Sequence, residues 1–351
     1  MHRIVASGLA LLLCAALPAA ARACDLCAIY TAVVVHDDRP GFEVGVAEQY
    51  TDFDTRQEDS AEVPNPGEYL RSSITQVFAG YNLNRWVGFQ LGLPIIARNF
   101  RRLEGGMLEH GDESGIGDMP LLVNVRPFTH VSTTAVVRLS LFGGLELPTG
   151  STDRLGEEAE ETHDQAQRRA RGAASAAARV GAGFPRGRGA GHTGDGGGGG
   201  SAASAVHGHD LALGSGSVDG ILGAGIFVGW QRLFLSAHSQ YLLRTEGSFD
   251  YQYANDLTWS GGPGAFVLLD DRYSVGLQAV AGGETKGKDE HEGAPVGDTG
   301  LTTVYLGPRL LATWGASLYA DVAGELPVVR HNTGLQILPD FRIRGGLSWR
   351  F

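Results

Sequence analysis

The sequence predicts an all-β protein: an up-and-down antiparallel transmembrane β-barrel of about twelve strands, with short periplasmic turns and long extracellular loops. Three observations carry this. Hydropathy alternates with period two rather than 3.6 along most of the chain. The alternating segments are even in number and mostly about ten to fourteen residues long, beyond the usual soluble strand of about 5–6 residues and enough for a tilted bilayer crossing of about 9–11. The connections between them alternate short and long, as periplasmic turns and external loops do and as a soluble sandwich has no reason to do.

Composition agrees. Glycine supplies 52 of 351 residues, roughly twice the usual share of about 7%, which suits tightly packed, strongly curved strands. Past the N-terminus there is no apolar run of roughly 18 residues, so a helical membrane protein is excluded. The formal net charge of −11 argues against a nucleic-acid partner, because a phosphate backbone needs a basic surface.

In chain order, residues 1–23 read as a signal peptide. Arg3 opens it, Val5 to Leu17 is its apolar stretch, and Ala21-Arg22-Ala23 is a small-x-small cleavage site. Residues 24–40 then form a periplasmic segment with Cys24-Asp25-Leu26-Cys27, which could lie in the bore as a plug. Export to an oxidising compartment points to a disulfide between Cys24 and Cys27; a redox or metal role is the alternative. Covalent haem would need His where Ala28 stands, and zinc would need two more ligands nearby.

Residues 41–351 carry the barrel. Strands are expected at 41–51, 69–82, 86–98, 117–128, 133–148, 218–230, 232–245, 256–269, 273–285, 301–313, 316–329 and 338–351. The last shows the pattern best: Phe341, Ile343, Leu347, Trp349 and Phe351 share one face, and Arg342, Arg344, Ser348 and Arg350 the other. Short turns fall at 83–85, 129–132, 231, 270–272 and 314–315. Longer loops fall at 52–68, 99–116, 149–217, 246–255 and 286–300. Lipid-facing sets such as Val304, Leu306, Pro308, Leu310 and Ala312 carry no charge. Tyr81, Trp86, Trp230, Tyr273, Trp314 and Trp349 sit near the short turns or the C-terminus, where an aromatic girdle belongs.

The opposite faces carry Arg126, Arg138, Glu146, Arg244, Arg309, Asp321, Glu325, Arg342 and Arg344, the candidate lumen and selectivity residues. Two readings stay open: these charges line a water-filled pore, or they pair across a narrow bore and fill it. Ser236, His238 and Gln240 share one strand face, which raises a membrane esterase as a remote alternative. Residues two apart on a strand are about 6.5–7 Å apart, too far for a nucleophile to touch its base directly, so polar lumen lining is the plainer reading.

Loop 149–217 is compositionally foreign. An acidic run at Glu157, Glu158, Glu160 and Glu161 precedes an arginine-rich, acid-free stretch over 165–190 and then Gly196 to Gly200. Such a segment should be disordered, and its bias suggests a compensated reading-frame shift in a GC-rich gene. It ends at His207-Gly208-His209-Asp210, a candidate site for a divalent metal on the extracellular face. His110, His163, His192, His291 and His331 fall in other predicted loops.

Three motifs carry a family resemblance. Gly115-Ile116-Gly117-Asp118 opens the fourth strand, Leu147-Pro148-Thr149-Gly150 closes the fifth, and Leu213-Gly214-Ser215-Gly216-Ser217 precedes the sixth, with Phe351 as terminal aromatic. In these the chain resembles the outer-membrane barrels of the MetA-pathway of phenol degradation group, over 41–351 apart from the loop insert. The resemblance implies a non-enzymatic transporter for small, apolar or aromatic molecules in the outer membrane of a Gram-negative bacterium. The alternative is a non-conducting barrel that scaffolds a metal or a redox partner. Expected partners are outer-membrane lipids, the solute, and the barrel-assembly machinery, with Phe351 as the assembly signal.

Overall fold

The computed structural model describes residues 40–158, 203–270 and 272–351. The expected signal peptide, Cys24 and Cys27, nearly all of 24–40, the insert at 165–200, His163 and His192 lie outside the described residues. Twelve strands close into an antiparallel barrel. They are β1 (Gly41–Glu58), β2 (Tyr69–Asn82), β3 (Val87–Glu104), β4 (Met119–Val131), β5 (Ala135–Leu147), β6 (Asp219–Trp230), β7 (Leu233–Leu243), β8 (Asp256–Leu269), β9 (Tyr273–Lys286), β10 (Leu301–Trp314), β11 (Leu318–Asn332) and β12 (Leu335–Arg350). Each pairs with its chain neighbours. β1 closes the ring on β12, from Glu43↔Arg350 to Glu58↔Leu335. Closure leaves no open edge, which a lipid environment requires.

Short turns gather at the end that holds Gly41 and Arg350, which is the periplasmic end by the rule that outer-membrane barrels turn tightly there. Their chemistry is local. Asn84 Oδ1 accepts hydrogen bonds from the backbone N–H groups of Trp86 (2.7 Å) and Val87 (3.0 Å), an Asx turn. The girdle sits at the same end: the rings of Phe42 and Tyr81 are 4.7 Å apart, Tyr273 and Trp314 6.2 Å, and Trp349 and Phe351 6.3 Å.

The outer face is apolar, with Leu91, Leu121, Leu222, Leu235, Leu277, Leu310, Val322 and Leu347 exposed where lipid takes the place of water. Glu48 is an exception. Its carboxylate accepts hydrogen bonds from the hydroxyls of Ser73 (2.6 Å) and Thr75, which offsets part of the cost of leaving water.

The inner face is packed by rings seated on glycine. At Gly264 in β8 a Cβ would lie 2.2 Å from Phe234 Cζ and 2.7 Å from the Leu277 carbonyl oxygen. Gly264→Val is therefore expected to destabilise the barrel by about 1–3 kcal/mol, the usual cost of overpacking. The urea midpoint of the heat-modifiable folded band should fall; an unchanged midpoint would show that Phe234 swings aside freely.

Two loop expectations are corrected. Residues 99–116 form a hairpin: β3 runs on to Glu104 and pairs with an outer strand, Met107–Ile116. Its turn is Gly105-Gly106, both at positive φ (59° and 84°). The inner face of the hairpin is covered, with Phe100 almost wholly buried, while Met107, Leu108 and Ile116 of the outer strand are exposed among polar residues, so Met107–Ile116 shows no regular apolar alternation in the sequence. The second concerns loop 149–217. Its two ends, 149–158 and 203–217, are folded, and Ala205, Val206, Leu211 and Ala212 are almost wholly buried.

Candidate functional site

Residues 203–217 form a cap across the extracellular mouth, with one helical turn, α1 (Gly208–Leu211), at its centre. On one side Ala205, Val206 and Leu211 pack against Phe53, Leu70, Phe100 and Ile337 at the outer ends of β1, β2, β3 and β12. On the other, Ala212 and Leu155 pack against Tyr251, Tyr253 and Val296 from two further loops. Polar contacts fix the cap's backbone. Ile337 N–H donates to the Ala205 carbonyl (2.8 Å), Arg98 Nη1 to the Ala212 carbonyl (2.6 Å) and Tyr253 Oη to the His209 carbonyl (3.1 Å).

The three sequence motifs meet at the root of this cap. Asp118 stands in the break between the outer strand Met107–Ile116 and β4. It accepts hydrogen bonds from Gly150 N–H (2.9 Å), Ser215 N–H (2.7 Å) and Ser215 Oγ (2.8 Å). Thr149 Oγ1 donates to the Gly117 carbonyl (2.7 Å), and Leu213 and Gly214 N–H donate to the Ser151 carbonyl (3.1 and 2.9 Å). Leu213 packs between Ile74 and Ile96. The motifs are thus one clasp that ties both ends of the long loop to the barrel wall.

Below the cap the nine candidate lumen residues all point inward, in three groups. Nearest the cap, Arg244 Nη1 donates to Glu146 (2.6 Å) and to Asp219 (2.7 Å). At mid-height, Arg342 donates to Glu325 through Nε (2.9 Å) and Nη2 (2.7 Å), and Arg344 bonds the other oxygen of the same carboxylate. Glu284 joins this group, 3.7 Å from Arg342 and hydrogen-bonded to Tyr305 (3.1 Å), while the Arg342 guanidinium lies over the Tyr305 ring at 3.7 Å. The register places Glu325 opposite Arg342, so their charges meet on the inner face of adjacent strands. Of the two readings the sequence left open, pairing describes these two groups.

The third group borders an open cavity of about 440 Å³ in the periplasmic half. Arg309 donates to Asp321 (2.9 Å) and to Tyr319 (3.0 Å), and Arg126 to Asn82. Arg138 also lines the cavity, and its Nε has no hydrogen-bond partner among the described residues. Beside these cations stand Phe78, Phe227, Phe234 and Phe266. Phe234 stacks with Phe227 at 5.8 Å and meets Phe266 at 4.9 Å. This ring cluster did not stand out in the sequence, although Phe234 shares its strand face with Ser236 and His238.

Ser236 and His238 border the same cavity, but Ser236 Oγ accepts from the Gln278 amide (2.7 Å). The serine is thereby held by an amide and not by a base, and the esterase alternative gains nothing.

The candidate metal residues are displaced from their expected setting. His207, His209 and Asp210 are not on a wet external loop: both imidazoles are buried inside the cap, at 6% and 1% exposure. Burial opposes protonation of His207, yet Asp210, Asp298 and Glu158 outweigh it and hold its pKa at about 9. For His209, Asp210 and Glu158 likewise overcome burial and raise the pKa well above its ordinary value. Burial would raise the Glu158 carboxyl, and the two histidines instead hold it at about 2.

Fold and lumen define a twelve-stranded outer-membrane β-barrel. No family model matches the sequence, and no curated protein matches it. The fold is that of the COG4313 outer membrane channel from Pseudomonas putida F1, at 12% identity and a TM-score of 0.53, over 90% of this chain and 97% of the channel. The β domain of the Bordetella autotransporter BrkA aligns more loosely, at 11% identity and a TM-score of 0.39, over 89% of this chain and 100% of that one. The P. putida toluene transporter TodX aligns at 10% identity and a TM-score of 0.35, over 89% of this chain and 90% of that one. The outer-membrane barrel expected from the sequence resemblance is the fold observed.

Proposed function

We propose that the barrel passes small organic solutes across the outer membrane without chemistry, favouring those with an aromatic body and a negative charge. One observation carries this reading: the periplasmic-half cavity sets a cluster of phenylalanine rings beside Arg138. Rings bind an apolar body by burial and edge-to-face contact, and a guanidinium binds a carboxylate or sulfonate through charge-assisted hydrogen bonds. A conducting site must bind tightly enough to admit its solute and weakly enough to release it, which a shallow, open cavity does. The likeness in fold to an outer membrane channel supports passage over catalysis.

Benzenesulfonate is the test solute, because it stays ionised and crosses lipid poorly. Its flux into vesicles holding the full-length protein should exceed that of an uncharged sugar of similar size. Losing one contact of about 1.5–3 kcal/mol in Arg138→Gln should weaken the benzenesulfonate interaction roughly ten- to a hundredfold. Phe234→Ala should lower aromatic preference and leave small inorganic ions unaffected. Flux equal to protein-free vesicles, from a correctly folded barrel with its cap released, would end the transport reading.

A further inference from the structure

We propose that His207, His209 and Asp210 form a binding site for a divalent transition-metal ion that locks the cap in the extracellular mouth.

The donor atoms are already spaced for an ion. His207 Nδ1 lies 3.6 Å from Asp210 Oδ2, and His209 Nε2 lies 3.3 Å from Asp210 Oδ1. One donor atom from each of the three residues falls within 4.8 Å of the others. A tetrahedral ion with bonds of about 2.0–2.1 Å holds its ligands roughly 3.3 Å apart. His207 Nδ1, the nitrogen facing Asp210, is buried.

The far nitrogen of each ring faces a carboxylate. His207 Nε2 is 3.3 Å from Asp298, and His209 Nδ1 is 3.2 Å from Glu158. Outer carboxylates of this kind orient metal-binding imidazoles and strengthen them as ligands. Ring geometry points the same way. The two imidazoles stack at 5.3 Å and 11°, so two protonated rings would set like charges face to face. Two neutral rings sharing one cation avoid that contact. A bound cation takes the place of the protons that these three carboxylates otherwise favour on the two rings.

Imidazole with carboxylate suits zinc, copper or nickel. The ligands come from the long loop and the outer carboxylate Asp298 from the β9–β10 loop, so a bound ion joins two loops that the strands leave independent. The site does not depend on transport: a barrel that binds zinc without conducting would uphold it.

Zinc alone is the probe, titrated into the full-length protein, free of any histidine tag, in detergent, against a chromophoric chelator. One tight zinc per chain is expected. His209→Ala should weaken it more than about a hundredfold, and Asp298→Asn, which leaves all three ligands, roughly 10–100-fold. Joint replacement of His110, His163, His192, His291 and His331 by glutamine should leave it unchanged. Heat-modifiable migration establishes folding for each variant; if His209→Ala fails to fold, Asp298→Asn and Glu158→Gln carry the test. X-ray absorption of the zinc complex should show two nitrogen ligands. No tight zinc, or zinc affinity unaltered in the folded cap variants, would overturn the site and leave a cluster held by protons or ordinary surface histidines.

Discussion

Asp118→Ala is expected to open the barrel. The Asp118 carboxylate accepts three hydrogen bonds from the two ends of the long loop. Hydrogen bonds to a charged group contribute about 1.5–3 kcal/mol each, though bonds sharing one carboxylate do not add. A net loss of about 2–3 kcal/mol from cap docking raises the undocked population roughly 30- to 150-fold. The wall should survive, because Asp118 lies outside β4 in a break that carries no ladder pair. Single-channel recording is the measurement. Wild-type protein should show a small or intermittent current, and Asp118→Ala a steady, larger one at unchanged heat-modifiable migration. If the folded variant conducts as wild type does, the apolar contacts of Val206 and Leu211 hold the cap and the clasp is incidental. Excision then decides: Glu146 pairs with Asp219 across adjacent strands, so a short turn can replace the loop between them.

Clasp and cap differed sharply in how far the sequence disclosed them. Strands were legible because each sits between two different solvents. Lipid on one side and a polar lumen on the other impose period two, as in β12, where Ile343 and Leu347 face out and Arg342 and Arg344 face in. The motifs were legible as patterns but not as partners, since the bonds of Asp118 to Gly150 and Ser215 span long separations in the chain. The cap was hidden for a further reason. Ala205 to Leu213 is short, aperiodic and set in a glycine-rich loop, and its burial is supplied by Phe53, Leu70 and Phe100 on three different strands. A local reading sees only the polar neighbours. The same blindness put His207 and His209 in water. Inward charges were found by parity, yet parity gives no height, so it did not separate the paired groups from Arg138 in the cavity.

Glu325→Gln should change both ion preference and stability. Glu325 holds two guanidiniums at once, those of Arg342 and Arg344. Removing one member of a buried ion pair costs about 3–5 kcal/mol, because the remaining charge loses its partner while staying out of water. Here two arginines are left with Glu284, which stands 3.7 Å from Arg342. The variant should therefore unfold at lower temperature, and its bore should carry one more positive charge. In a potassium chloride gradient the reversal potential should move toward the chloride value. Glu325→Gln with Arg342→Gln removes one charge of each sign, so its reversal potential should return toward wild type. That double variant separates field from space: a widened bore alone would leave the two variants with the same reversal potential. If folded Glu325→Gln keeps the wild-type reversal potential, ions do not pass this cluster, and the conducting path runs along the opposite wall, past Glu146 and Arg244.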